Sequence, residues 1–253
     1  MKSILLSIAL AFSTYSRVPM PQIRWDEIEL IDPLPFFPLV GIVLAALFAL
    51  IYEFVNPLGH LFQATILCCV PLLFTGGIHM DGFLDTSDAL ASYQSKEKRL
   101  DILKDPHTGA FAIIFCAVYL LLQLGIYGLI SKENISLVAV GFVVSRTTVL
   151  ILTLFTKNAR QSGMLFTMQS KQQRVTSIGS VIGFVLLITL FGINTNLIVM
   201  TISLGIIFLT AFFLQRHILV LFGGITGDLA GYCLQVFELL WSFLTILLMR
   251  YIP

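Results

Sequence analysis

The chain has 253 residues, of which 57% are hydrophobic and 11% charged, and its mean hydropathy is +0.94. Soluble domains are about a quarter charged, so this composition excludes an ordinary soluble protein and indicates an integral membrane protein. Fifteen basic residues against fourteen acidic ones leave a net charge of +1, which gives no electrostatic case for nucleic-acid binding; any functional charge must come from placement.

The opening stretch "MKSILLSIALAFSTYS" has two readings. Lys2, a short apolar run and Ala9-x-Ala11 resemble a cleavable signal peptide; alternatively the run, too short for the ~20 residues a crossing needs, forms an interfacial or re-entrant helix. Segments long enough to cross follow at 38 to 55, 58 to 75, 109 to 130, 135 to 156, 176 to 193, 196 to 214 and 229 to 249. In hydrocarbon every backbone amide must find its partner within the segment, so each is a helix. The expected fold is all-α: a polytopic membrane helix bundle of about seven transmembrane helices plus the amino-terminal helix, in a single integral membrane domain over 1 to 253. Cys68, Cys69, Cys116 and Cys233 lie in apolar runs without metal-type spacing and read as core residues with no disulfide.

Basic residues alternate along the connections. Lys2, Arg17 and Arg24 precede the first span; Lys96, Lys98, Arg99 and Lys104 follow the second; Lys157, Arg160, Lys171 and Arg174 follow the fourth; Arg216 follows the sixth. Only Lys132 and Arg250 lie on the other side, and Arg146 falls within a span. Positive charge stays inside, so the amino terminus and long loops are expected to face the cytoplasm, with the carboxyl terminus outside. Cleavage of the first segment would invert every loop, which favours the uncleaved reading.

After the second span comes "FTGGIHMDGFLDTSDALASY". Asp81, Asp85 and Asp88 stand at i, i+4 and i+7, on one face of a helix. Like charges so spaced repel by roughly a few tenths of a kcal/mol per exposed pair, and oxygen ligands without thiolates suit Mg²⁺ or Mn²⁺. The sequence therefore predicts a divalent-metal site at the mouth of this span; the plain alternative is a solvated helix face. His79 is either a ligand or phosphate donor, or a hydrogen-bonded support. In "KEKRLDILKDPHTGAF" a basic cluster with Lys104, Asp105 and His107 suits a polyphosphate, although loops of this kind also contact anionic headgroups. Arg146 and Glu238, charged within spans, read as functional and could pair with each other. In "LFGGITGDLAGYCLQVFELL" the glycines Gly223, Gly224 and Gly227 surround Thr226 and Asp228 at a helix start, an arrangement suited to phosphate and to a further carboxylate ligand.

Taken together, "GGIHMDGFLDTSDAL", "RLDILKDPHTGAF", "SR" in the fourth span, Ala159-Arg160 with Gly163, and "GGITGDLAGYCLQVFELL" resemble the adenosylcobinamide-GDP ribazoletransferase (cobalamin synthase) family, as do the earlier "FSTYSRVPMP" and "FFPLVG". The resemblance runs from about Phe12 to Leu240. The family often has acidic residues after its Ala-Arg pair, where Gln161 and Ser162 stand here. The resemblance implies a Mg²⁺-dependent phosphotransferase of the cytoplasmic (inner) membrane, with lipid around it. It would join adenosylcobinamide-GDP to α-ribazole or its 5′-phosphate and release GMP; a homo-oligomer stays open. By the same resemblance Asp81, Asp85, Asp88 and Asp228 would hold metal, with Asp88 doubling as the candidate base and Asp85 catalytic beside it, and Arg146, Lys104 and Arg160 would clamp phosphate. His79, Asp105, Gly224, Thr226 and Gly227 would contact substrate. The rival readings are a divalent-cation transporter and an enzyme like the CDP-alcohol phosphatidyltransferases. Transporters place their ligands near the midplane rather than at one rim, and "DGFLDTSD" lacks the Ala-Arg pair of the second group.

Overall fold

The computed structural model describes residues 2–21 and 31–252; Arg24, counted above among the basic residues, lies outside them. Eleven α-helices are present among the described residues: α1 Lys2–Tyr15, α2 Phe37–Val55, α3 His60–Thr75, α4 Ile78–Ala91, α5 Lys96–Ile102, α6 Ala110–Tyr127, α7 Ile135–Phe155, α8 Met164–Lys171, α9 Arg174–Asn194, α10 Leu197–Phe222 and α11 Gly227–Tyr251. The only β-type contact among these residues is a parallel bridge between Asn158 and Ile225. The molecule is thus an all-helical polytopic bundle, as its composition demands.

Six helices (α2 with its flanking turns, α6, α7, α9, α10 and α11) are long and apolar enough to cross a membrane. The seventh expected crossing is α3, which is shorter and joins α4 through a bend of 95°. Gly76 and Gly77 make that bend, with φ of 65° and 79°, a left-handed conformation that side chains other than glycine adopt at a cost. So α4 does not prolong the crossing. It packs along α11 and against α6, with Gly82 against Asp228 and Asp88 at the start of α6.

The expected spans agree with the helices except at one place. Helix α10 runs on to Phe222 rather than ending near 214, and takes Arg216 into its last turns, where the guanidinium lies 5.2 Å from the Phe212 ring. A helix apolar on every side belongs in the middle, and α7 has that place: 83% of its spanning window is buried, against 22% for α6 and for α9. Helices α2, α9 and α11 pack around α7, and Trp241 on α11, fully buried, donates its indole N–H to the Leu137 carbonyl at 2.7 Å. Cys68 and Cys233 are buried as expected, whereas Cys69 points out of the bundle; all four thiols are free.

Helix α1 is part of this body. Ala11 and Phe12 are buried in the same cluster as Val40 and Leu44 of α2, and the Arg17 amide donates to the Phe74 carbonyl at 2.7 Å, tying the segment after α1 to the bend.

Candidate active site at the rim of the bundle

The periodicity of Asp81, Asp85 and Asp88 is realised, since all three fall within α4. The opposite face of α4 is buried: Phe83 stacks on Tyr232 of α11 (5.4 Å between ring centroids, 11° between planes) and tilts against Tyr119 of α6 at 5.0 Å. With that face held, the carboxylates must turn toward the open end.

What brings Asp228 to them is a close backbone crossing. A Cβ on Gly82 would lie 2.6 Å from the Asp228 carbonyl oxygen, so only glycine lets α4 pass α11 at this distance. We expect Gly82→Val to push the helices apart and to lower stability by about 1–3 kcal/mol, as overpacking does. A thermal midpoint equal to that of the unsubstituted protein would contradict this packing.

The four carboxylates fare differently. Asp88 is taken up by structure: its two oxygens accept from the backbone amides of Gly109 at 2.6 Å and Ala112 at 2.8 Å, which satisfies free donors at the start of α6. The expected base is therefore a helix cap. Asp85, in contrast, accepts no hydrogen bond from the described residues. Its pKa is pushed up to about 6, first by burial and then by the charges of Asp81, Asp228 and Asp88, while Arg160 opposes the rise.

A raised carboxyl pKa has a defined sign. The stabilising contribution is complete below the unfolded value of roughly 3.9 and is lost as pH rises through about 6. Metal-free protein should thus melt at a higher temperature near about pH 5 than near about pH 7.5. Asp85→Asn should flatten the difference, and a difference that persisted undiminished would refute the assignment.

Arg160 is half-buried, not exposed as a loop residue would be. Its Nη2 donates to the Leu100 carbonyl at 2.7 Å and its Nη1 lies 3.6 Å from Asp228 Oδ2. Backbone pairing positions it: the Ala159 amide donates to the Ile225 carbonyl and the Ile225 amide to the Lys157 carbonyl, each at 2.9 Å. Gly224 makes this possible, because a Cβ there would strike the backbone of Lys157 and Ala159. Thr226 Oγ1 accepts from the Leu229 amide at 3.2 Å, capping α11, and lies 3.4 Å from Asp228 Oδ2. Gly227 stands at the cavity wall with open space beside it.

Three expectations change. Arg146, expected to clamp phosphate, is fully buried, and its Nη1 lies 2.7 Å from Glu238 Oε1, so the pairing alternative holds instead. Lys104 is exposed and, among the described residues, reaches only Asp101, at 3.9 Å; the lysine at the glycine turn is Lys96, whose Nζ lies against Gly223. Asp105 is turned onto its own loop, where Oδ1 accepts from the His107 amide at 2.9 Å and faces His107 Nδ1 at 2.7 Å.

Behind the rim lies a cavity of about 180 Å³. Asp81 and Asp228 border it, with Tyr15, Phe37 and His79 alongside. His79 is buried, and burial together with the Arg146 charge holds its pKa well below the ordinary value. Tyr15 and Phe37 are not among the expected site residues, although both stand in the segments "FSTYSRVPMP" and "FFPLVG" that carry the family resemblance.

The donor set suits a hard divalent cation in chemistry: every candidate is a carboxylate at a water-accessible rim. Among the described residues no three such side chains already converge on one point. That agrees with the habit of Mg²⁺ to take one or two carboxylates and complete its shell from water and phosphate oxygens.

The sequence model of cobalamin-5-phosphate synthase matches residues 7–247. The chain belongs to this family. It is 40% identical to the adenosylcobinamide-GDP ribazoletransferase of Lachnoclostridium phytofermentans over 92% of this chain and 90% of that protein. Proteins of the same name from Desulfitobacterium hafniense (33% identity, 93% and 94% covered) and Clostridioides difficile (32%, 89% and 91%) are also similar. No solved structure matches. As a member of the cobalamin-5-phosphate synthase family the chain is an enzyme of cobalamin biosynthesis, and the transporter and CDP-alcohol readings fall away.

Proposed function

We propose that the chain transfers the cobinamide phosphate of adenosylcobinamide-GDP to α-ribazole or its 5′-phosphate, releasing GMP, in a Mg²⁺-dependent reaction at the rim. The observation that carries this reading is the meeting of Asp81 of α4 with Asp228 of α11 at one cavity, with the charges of Asp85 and Arg160 close by. The names of the relatives supply the substrates.

In this mechanism a ribose hydroxyl oxygen attacks the cobinamide-linked phosphorus, the bond from that phosphorus to the oxygen of GMP breaks, and the hydroxyl proton passes to a carboxylate. Two of the carboxylates Asp81, Asp85 and Asp228 would hold Mg²⁺, which would offset the pyrophosphate charge. Asp85 is the better base, since both Asp88 oxygens are engaged by backbone amides. Arg160, half-buried and anchored to Leu100, holds the phosphate side, and Lys96 adds charge at the glycine turn.

Purified protein incubated with adenosylcobinamide-GDP and α-ribazole should release GMP with Mg²⁺ and none after chelation. Release indifferent to chelation would remove the metal from the mechanism. The surrounding membrane is the cytoplasmic (inner) one, with the rim facing the cytoplasm and the carboxyl terminus outside, a reading supported by the placement of basic residues. A reporter fused after Pro253 should accordingly be active only on the outer side, and a cytoplasmic signal would overturn the orientation.

A further inference from the structure

The walls of the cavity behind the rim are not explained by phosphate chemistry. They are mostly apolar, with Phe37, Leu150, Leu165 and Leu234 among them. A dry cavity of roughly 150 Å³ admits one benzene molecule, so about 180 Å³ suits one planar ring system and excludes anything as large as a corrin. Two rings already show how such a group would lie: Tyr15 and His79 are stacked, 6.0 Å apart and 19° from parallel, with Phe37 tilted toward His79 at 5.7 Å.

One polar atom in this lining has no role yet. Among the described lining residues, His79 Nε2 is the buried side-chain nitrogen or oxygen that lacks a hydrogen-bond partner, and His79 is only 5% exposed. An unpaired buried donor or acceptor is costly. A ligand offering a single complementary atom on an otherwise apolar ring would relieve it.

We propose that this cavity seats the base of the ribosyl acceptor, an N-ribosylated benzimidazole, with its free ring nitrogen accepting a hydrogen bond from His79 Nε2. The assignment rests on the function proposed above. An N-ribosylated benzimidazole has one unsubstituted ring nitrogen and otherwise apolar edges, which matches the single unpartnered buried side-chain atom, His79 Nε2, in a mostly apolar wall that turns acidic at Asp81 and Asp228. Guanine, the competing ring in the substrates, carries acceptors at O6 and N7 besides donors that Asp81 or Asp228 could take, and the apolar part of the wall would leave at least one of those acceptors unpaired. Because Asp81 and Asp228 line the same cavity, a base seated here leaves its ribose at the carboxylates, where a hydroxyl must lose its proton.

The test is calorimetric binding of α-ribazole to the full-length purified protein without a second substrate, compared with an N-ribosylindole in which the acceptor nitrogen is replaced by C–H. Unsubstituted protein should bind the benzimidazole about tenfold more tightly than the indole, the worth of one neutral hydrogen bond. His79→Phe, which keeps a stacking ring, should bind both alike and at the indole's level. Ala230→Phe, filling the cavity from α11, should abolish α-ribazole binding while adenosylcobinamide-GDP still binds. If that variant fails to fold, the His79 comparison still decides.

The proposal is overturned if the unsubstituted protein does not bind α-ribazole, if His79→Phe discriminates between the ligands as well as the unsubstituted protein does, or if GMP alone occupies the cavity and is the ligand that a folded Ala230→Phe expels. Binding as expected without GMP release from adenosylcobinamide-GDP would defeat the proposed reaction and leave the cavity assignment standing.

Discussion

Asp81→Asn or Asp85→Asn is expected to abolish GMP release, with turnover falling by at least about 10²-fold, the scale of losing charge stabilisation in a transition state. The substitution keeps the side-chain shape and removes only its charge, so the bound cation loses an anionic ligand while the packing of α4 does not change. The protein should remain folded. Indeed the carboxylates raise one another's proton affinity at Asp85, and removing one relieves repulsion, so metal-free Asp85→Asn should be at least as stable as the unsubstituted protein at neutral pH. Activity and stability therefore move in opposite directions, which an unfolding artefact cannot imitate. The measurements are GMP release in Mg²⁺ and thermal midpoint on the same purified sample; retained turnover in either variant would refute the assignment of these side chains to metal.

Arg146→Ala is expected to do the reverse, destabilising the protein by about 3–5 kcal/mol, because it strands a buried carboxylate. Arg146 and Glu238 are 0% and 3% exposed as side chains and lie 2.7 Å apart. The arginine also donates through Nη1 to the Phe142 carbonyl at 2.9 Å, and Ser145 Oγ lies 3.3 Å from Glu238 Oε1, while Nε and Nη2 have no partner among the described residues. Replacing both partners together, as in Arg146→Met with Glu238→Met, should recover most of the loss, since an apolar pair leaves no orphaned charge. Folded Arg146→Ala molecules should turn over at a rate far closer to normal than the aspartate variants. An arginine that clamped phosphate would give the opposite pattern: near-normal stability and lost turnover.

These two outcomes separate residues that looked alike in the sequence. Both groups are charges in an oily chain, and both invite a functional reading on the ground that such charges are rare. Asp81 and Asp85 stay available for the proposed metal role because their side chains face an open rim. Arg146 lost it because a partner 92 residues away consumes its charge. Asp88 shows the same effect on a smaller scale: it lies on the helical stripe of the other two, yet the start of α6 claims both its oxygens.

Sequence alone determined the membrane class, the limits of nearly every spanning helix and the stripe of carboxylates on α4, because each follows from interactions within one segment: apolar length against the membrane, and a 3.6-residue turn that aligns i, i+4 and i+7. Tertiary structure alone decided that Asp228 and Arg160 join Asp81 and Asp85, that Arg146 belongs to Glu238, and that Tyr15, Phe37 and His79 close around one chamber. Those contacts join helices and loops far apart in the chain. They depend on how closely two backbones approach, as at Gly82, and on which side chain reaches a charge first, and no local periodicity encodes either.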